Sequence, residues 1–173
     1  MNVVDSLLPL LACLASLIAV PAIAMTGRSP NARESITFVA GFAKLALVLA
    51  MVGPVLKGAV LKFTFIEVLP NVAIEFRVDG LGILFALVAS SLWILTSIYA
   101  VGYMRGLKEH DQTRFFAFFA LSLSATLGVA FAGNLLTLYL FYEMLSLSTC
   151  LLYTSPSPRD APSHLVCRLL LEK

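Results

Sequence analysis

The chain has 173 residues, of which 60% are hydrophobic and 13% are charged, and its formal net charge is +2. Soluble domains are usually about 45–50% apolar and about 25% charged, so this composition argues against a soluble enzyme, a disordered chain and a nucleic-acid-binding protein. The cysteines form no C-x-x-C pair and have no metal-ligand spacing. We therefore expect an integral membrane protein with no metal site and no disulfide framework.

Five apolar segments approach the roughly 20 residues that a membrane-spanning helix needs. The last apolar stretch, 115–152, would be about 55 Å long as one helix, so we divide it at Gly133-Asn134, its only turn signal. The predicted spans are Leu7–Met25, Ile36–Leu56, Leu81–Tyr103, Phe115–Ala132 and Leu135–Cys150. Residues 20–24 also resemble a signal-peptide cleavage site, but the preceding region carries Asp5 and no cation, which favours a retained helix.

The loop charges predict the orientation of these spans, because cytoplasmic loops are enriched in Lys and Arg. One side carries Arg28, Arg33, Arg105, Lys108 and Arg114. On the other side three cations are balanced by three acids. We therefore expect the N-terminus to lie outside the cell.

The loop between the second and third spans alternates apolar and polar residues with a period of two. The apolar positions are Phe63 and Phe65 in one run, and Val72, Ile74, Phe76 and Val78 in the other, with Leu69-Pro70-Asn71 between the runs. This pattern predicts a β-hairpin outside the hydrocarbon, and an irregular loop is the alternative.

The composition changes abruptly after Leu152, where residues 153–163 contain three prolines and no apolar run. Pro156 is expected to end the fifth helix. Residues 150–173 resemble the translation of a sequencing-library adapter, so we expect the biological sequence to stop at Thr149 and the chain to be an N-terminal fragment. A genuine polar tail is the alternative. We divide the chain into 1–112, three helices with the hairpin, 113–149, two further helices, and 150–173, which forms no domain.

Two of the 22 charged residues, Lys44 and Glu143, lie inside predicted spans. A charge at the centre of a spanning helix costs about 2.5–3.5 kcal/mol, so an intramembrane ionisable group is a candidate functional site. Glu143 is the stronger candidate, as a group that binds and releases a proton, and a structural hydrogen bond is the alternative. Its neighbours at helical spacing form a polar stripe that we expect to face protein or water: Tyr139, Tyr142, Ser146 and Thr149.

The other polar and small residues have simpler interpretations. Lys44 is a weaker candidate, because packing or snorkelling of its flexible stem would also explain it. Asp79-Gly80 is typical of a helix N-cap, and His110 is expected to be a solvated loop residue. A row of small residues at a spacing of four predicts a close-packing helix face: Ala120, Ser124, Gly128 and Ala132.

Four segments together resemble the antiporter-like subunit family. They are Phe76-Arg-Val-Asp-Gly-Leu-Gly82, Tyr99-Ala-Val-Gly-Tyr-Met-Arg-Gly106, Arg114-Phe-Phe-Ala117 and the stretch 132–149. The family includes the large subunits of Mrp-type sodium/proton antiporters, the proton-pumping subunits of respiratory complex I and those of group-4 membrane hydrogenases. Within it, residues 141–149 most resemble the D-type large subunit of the Mrp-type antiporters.

The resemblance implies a bundle of about fourteen helices with two inverted repeats, of which this chain would hold the first five. It implies that Glu143 pairs with a lysine on the seventh helix and transfers protons toward a lysine on the eighth, both outside this chain. It also implies sibling membrane subunits as partners, protons and a monovalent cation such as Na+ as substrates, no cofactor in this subunit, and the bacterial cytoplasmic membrane as its location.

Two other functions stay open at this point. One is a proton-pumping subunit of an NADH-quinone oxidoreductase or a membrane-bound hydrogenase, in which redox energy comes from other subunits. The other is a small membrane scaffold in which Glu143 is structural.

Overall fold

A computed structural model describes residues 2–26, 29–69, 72–107 and 112–153. In these ranges the chain forms five long helices and one small sheet. In order they are β1 (Asn2–Asp5), α1 (Leu8–Met25), α2 (Pro30–Leu56), β2 (Ala59–Leu69), β3 (Val72–Val78), α3 (Gly80–Leu107), α4 (Gln112–Ala130) and α5 (Leu135–Tyr153). All five helices are long and apolar enough to cross a membrane, which confirms the predicted number of spans.

The helix ends differ from the hydropathy boundaries where polar residues take part in helix contacts. Helix α2 begins at Pro30, six residues before the predicted start, and α4 begins at Gln112. The break between α4 and α5 falls at the predicted Gly133-Asn134. Helix α5 extends through Tyr153, and the expected breaker Pro156 and the rest of the tail lie outside the described residues.

The first four helices share one interior. Helix α1 packs against α2 and α4, α2 also packs against α3, and α3 contacts α4. Helix α5 packs mainly against α4 and also contacts β3. Among the described residues, α4 and β3 provide most of the contacts to α5, and much of the surface of α5 is open.

The predicted hairpin is confirmed and belongs to a three-stranded sheet of order β1-β2-β3. Strands β2 and β3 are antiparallel, and the Lys62 ammonium lies 3.0 Å from the Glu75 carboxylate across the pair. Strand β1 runs parallel to β2 and is an addition to the predicted all-α fold with a hairpin. Its four residues are too few to show a period of two. The predicted turn residues Pro70 and Asn71 lie outside the described part of the chain.

The sheet is attached to the helix bundle through β3. Phe76 and Val78 are buried beneath the sheet, as their period predicted. The Arg77 amide donates to the Phe131 carbonyl at 2.7 Å, and the Gly133 amide donates to the Glu75 carbonyl at 2.8 Å. A Cβ at Gly133 would lie 2.9 Å from the Glu75 side chain, so this approach requires glycine. The α4–α5 turn is thereby fixed to the hairpin.

Candidate functional site

Asn134 holds the first turn of α5 in place. Its side-chain oxygen accepts hydrogen bonds from the amide and the hydroxyl of Thr137, at 2.9 and 2.8 Å, which is the arrangement of an N-cap. The Thr137 hydroxyl in turn accepts a hydrogen bond from the Glu75 amide at 3.0 Å. The start of α5 is therefore fixed by backbone groups of the hairpin, which sets the position of the residues further along the helix.

Glu143 lies eight residues beyond the start of α5, about 12 Å along the helix axis. Its side chain is half-buried, whereas Tyr139, Tyr142 and Ser146 are exposed. The Thr149 hydroxyl is bonded to carbonyls of its own helix. Within the described ranges no cation forms an ion pair with Glu143. Three members of the predicted stripe, the two tyrosines and Ser146, therefore lie on the open surface of α5, whereas Glu143 and Thr149 are partly covered.

The buried positions of α5 include polar residues that the sequence reasoning missed. Thr137 and Ser148 are fully buried, and the Ser122 hydroxyl of α4 donates to the Ser148 hydroxyl at 2.9 Å. Phe141 lies between them along the helix and packs over Gly128. Residues 137, 141 and 148 lie on one face of α5, because their spacing follows the helical period. This period is the sequence signal that could have identified Thr137 and Ser148 as buried.

Lys44 points into the interior of the first four helices, and its side chain is 0% exposed. Its ammonium donates to the Leu123 carbonyl at 3.0 Å and lies 4.7 Å from the centroid of the Trp93 ring. Such a cation–π contact contributes about 2 kcal/mol when it is desolvated. The snorkelling alternative is wrong, because the α3 and α4 groups that hold the ammonium lie inside the bundle. The Lys44 ammonium therefore lies inside the first four helices, whereas Glu143 lies on α5.

Charged residues at the end of the bundle opposite the sheet join three helices. The Arg105 guanidinium makes a two-pronged contact with the Glu34 carboxylate, at 2.8 and 2.6 Å. Arg33 donates to the side chains of Gln112 and Thr113 on α4. These contacts explain why α2 and α4 begin earlier than their apolar runs. The sequence analysis considered Arg33 and Arg105 only as loop charges and did not single out Glu34, Gln112 or Thr113.

The Asp79 motif has a structural role. The Asp79 carboxylate accepts a hydrogen bond from the Gly82 amide at 2.8 Å, which confirms the predicted N-cap of α3. A Cβ at Gly82 would lie 3.0 Å from the Ala130 carbonyl, so glycine lets α3 approach α4 closely. Three of the four small residues in the predicted row form a packing face of α4, since Ala120 and Ser124 are buried and Gly128 contacts Phe141. The fourth, Ala132, lies beyond the end of α4. His110 lies outside the described residues.

Comparisons with known proteins agree with the resemblance. Residues 67–116 match the family model described as NADH-ubiquinone oxidoreductase (complex I), chain 5 N-terminus. The Na(+)/H(+) antiporter subunit A1 of Staphylococcus aureus strain bovine RF122 / ET3-1 is 36% identical over 87 residues. The subunit A1 of strain JH9 matches to the same extent. Half of the chain is thus similar in sequence to sodium/proton antiporter subunits.

The matched stretch is 50% of this chain and 11% of either relative, so the chain matches about a tenth of those proteins. Among solved structures, the archaeal membrane-bound sulfane sulfur reductase, a respiratory membrane complex, contains a chain with the same fold. The TM-score is 0.71 over 90% of this chain and 24% of that chain, at 16% identity. The five helices thus have the arrangement found in part of a larger membrane protein.

The role of Glu143 and the subunit type are not covered by these similarities. Glu143 lies outside the residues that the family model matches, so its role in proton loading stays a prediction. The two Staphylococcus relatives carry the name subunit A1, so the assignment to the D-type large subunit also stays a prediction.

Proposed function

We propose that the chain is part of a proton-translocating subunit of a multisubunit monovalent cation/proton antiporter, with Na+ as the cation. The observation that carries this proposal is the relationship to the Na(+)/H(+) antiporter subunit A1, combined with five helices able to cross a membrane. Within the antiporters, the amino-acid sequence of residues 141–149 favours the D-type large subunit.

In this proposal Glu143 binds and releases the transported proton. It is a carboxyl group about 12 Å along a membrane-spanning helix, half-buried and without a cation in contact among the described residues. Inserting an acidic side chain at such a depth in a membrane is costly, so acidic residues at this depth usually have a function. The hydroxyl groups of Tyr139, Tyr142, Ser146 and Thr149 would continue the proton path along the same helix.

The partners in this proposal are further membrane helices and sibling subunits. Tyr139 and Tyr142 are 59% and 57% exposed, and several leucines of α5 are exposed as well. A proton-carrying stripe open to lipid would be of no use, since every polar group there must be satisfied without water. Helices that cover α5 would exclude lipid from Glu143 and supply its cationic partner.

A proton pump driven by redox energy is the second candidate. The description of the matching family model and the fold shared with a respiratory membrane complex favour it. The proposed role of Glu143 would be the same, and the driving force would reach this subunit from redox subunits in the same complex.

The driving force distinguishes these two functions. The intact subunit is expressed with its partner subunits in everted vesicles of an antiporter-deficient bacterium, and the pH gradient is followed with a fluorescent amine. An antiporter collapses a preformed gradient when NaCl is added, without an electron donor. A response that requires an electron donor and ignores Na+ would contradict the antiporter proposal and support the redox pump.

We further propose that the N-terminus and the sheet lie outside the cell. The support is the excess of Lys and Arg in the loops at the opposite end of the bundle. In a background with Cys150 and Cys167 changed to serine, Glu67→Cys should react with a membrane-impermeant thiol reagent in intact cells. Ser29→Cys should react only in everted vesicles, and the reverse pattern would overturn the orientation.

A further inference from the structure

The interior of the first four helices contains two apolar clusters, one beneath the sheet and one at the far end. On every helix of this group the two clusters are separated by a buried polar residue. The sheet-side cluster includes Ala12, Val48, Ala86 and Leu127, and the far-side cluster includes Ala19, Ala40, Trp93 and Ala120. The residues between them, which we name the polar layer, are Ser16 on α1, Lys44 on α2, Ser90 on α3 and Ser124 on α4, all at most 1% exposed.

Only part of the polar layer is satisfied by protein atoms. The Ser124 hydroxyl donates to the Cys13 carbonyl at 2.8 Å, and the Lys44 ammonium donates to the Leu123 carbonyl. The hydroxyls of Ser16 and Ser90 are buried without a hydrogen-bond partner in the described structure, as is the indole N–H of Trp93. The Lys44 ammonium has three N–H donors, and one of them donates to the Leu123 carbonyl.

Two of the three buried serine hydroxyls without a hydrogen-bond partner in the described structure belong to the polar layer, and the third, Ser97, lies one turn beyond Trp93 on α3. A serine in a helix can donate to the carbonyl four residues earlier, and Ser35 and Ser91 both do so at 2.8 Å. Ser16 and Ser90 have the same local geometry available but make no such bond. Buried polar groups are almost always hydrogen-bonded, and an unpaired one costs about 1–3 kcal/mol. Three such groups in the layer that also contains the Lys44 ammonium therefore indicate that a small polar ligand binds there.

The chemistry of the layer identifies that ligand as water. Within the described ranges no carboxylate contacts Lys44, so the layer offers no acidic ligand to Na+ or another cation. The ammonium and the indole N–H need acceptors, whereas a serine hydroxyl can both donate and accept. A water molecule supplies both kinds of bond and typically makes about three of them in a buried site. A chloride ion could accept from the donors but could not donate to the serine oxygens.

We propose that the polar layer is a binding site for internal water that hydrates the ammonium group of Lys44. The water molecules accept from Lys44 and Trp93 and bond to the hydroxyls of Ser16 and Ser90. The site lies among the first four helices and shares no residue with the Glu143 stripe of α5. The proposed water site is inferred from burial and hydrogen bonds, so it does not depend on the proposed transport function.

Magnetisation transfer from water protons in solid-state NMR tests this site directly. The full chain is labelled with 15N-lysine and 15N-tryptophan and placed in phospholipid bilayers without chloride. Trp93 is the only tryptophan in the chain, so its indole signal requires no assignment variant. We expect transfer from water to the Trp93 indole N–H and to the Lys44 ammonium, whose signal disappears in Lys44→Arg.

Serine variants connect the water to the polar layer. Ser16→Ala combined with Ser90→Ala should slow the transfer to Trp93 by about twofold or more, because two of the water's anchoring groups are lost. Ser91→Ala is the matched control, since the hydroxyl of Ser91 is already bonded to Leu87, and it should leave the transfer unchanged. Absence of transfer in the unmodified chain, or the same rate in the double variant, would overturn the proposal. Transfer that changes on addition of chloride would instead show an anion site and would overturn it as well.

Discussion

Replacement of Glu143 by glutamine should reduce proton movement through the intact complex by about tenfold or more. Glutamine preserves the size of the side chain but has no group that binds and releases a proton, and a positioned proton-transfer group contributes about a hundredfold or more to the rate of its step. Glu143→Asp should retain part of the activity, because it keeps a carboxyl group at a slightly changed position. The measurement is the initial rate of gradient collapse in everted vesicles.

The matched control is Glu67→Gln, which changes the same functional group on the exposed surface of β2. It should leave the rate unchanged, and both variants should accumulate in the membrane in equal amounts. If Glu143→Gln transports at the original rate while present at normal level, Glu143 is a structural residue, and the proton path does not use this stripe. A loss in Glu67→Gln of similar size would show that the assay responds to surface charge.

Hydropathy identified the spans but could not identify which side of each helix packs against protein. A membrane helix is apolar on all sides, so its sequence carries little amphipathic signal to mark the buried face. Helix α5 illustrates this limit. Its buried positions include Thr137 and Ser148, whose hydroxyls are satisfied by Glu75 and Ser122, whereas Leu147 is 64% exposed. Polarity on α5 therefore did not predict exposure.

The surroundings of Lys44 could not be predicted because they come from distant parts of the sequence. The Leu123 carbonyl that accepts from its ammonium is 79 residues away, and Trp93 lies on a third helix. From composition alone, a lysine with a flexible stem is equally consistent with snorkelling to the interface. The structure shows that the ammonium turns inward, which makes Lys44 a buried charge instead of an interfacial one.

Short-range signals were predicted well where the residue type itself determines the backbone. Gly133-Asn134 separates α4 from α5, Asp79 caps α3, and the alternation of Phe76 and Val78 places both beneath the sheet. Strand β1 was missed because its pairing with β2 depends on residues nearly 60 positions apart, Asn2 and Ala59. Local chemistry was therefore sufficient for turns and caps, while contacts between distant segments required the fold.

The packing of α5 on α4 should depend strongly on Gly128. A Cβ at this position would lie 2.1 Å from Cδ1 of Phe141, far inside the normal contact distance. Phe141 cannot simply retreat, because its ring packs against the buried ring of Phe76 at a centroid distance of 5.6 Å. Gly128→Ala should therefore separate the helices or force the ring from its position, and overpacking of this kind costs about 1–3 kcal/mol.

The thermal midpoint of the purified chain in detergent measures this effect. Gly102→Ala is the matched control, because a Cβ there meets no atom within 4 Å and alanine favours the helix by about 1 kcal/mol. We expect Gly128→Ala to unfold at a lower temperature than the unmodified chain and Gly102→Ala to unfold at the same or a higher one. Adding Phe141→Leu to Gly128→Ala should restore part of the lost stability, because the smaller side chain leaves room for the new methyl group. Equal midpoints for the two glycine variants would show that α5 does not pack on α4 through Gly128, and the placement of Glu143 relative to the first four helices would then be wrong.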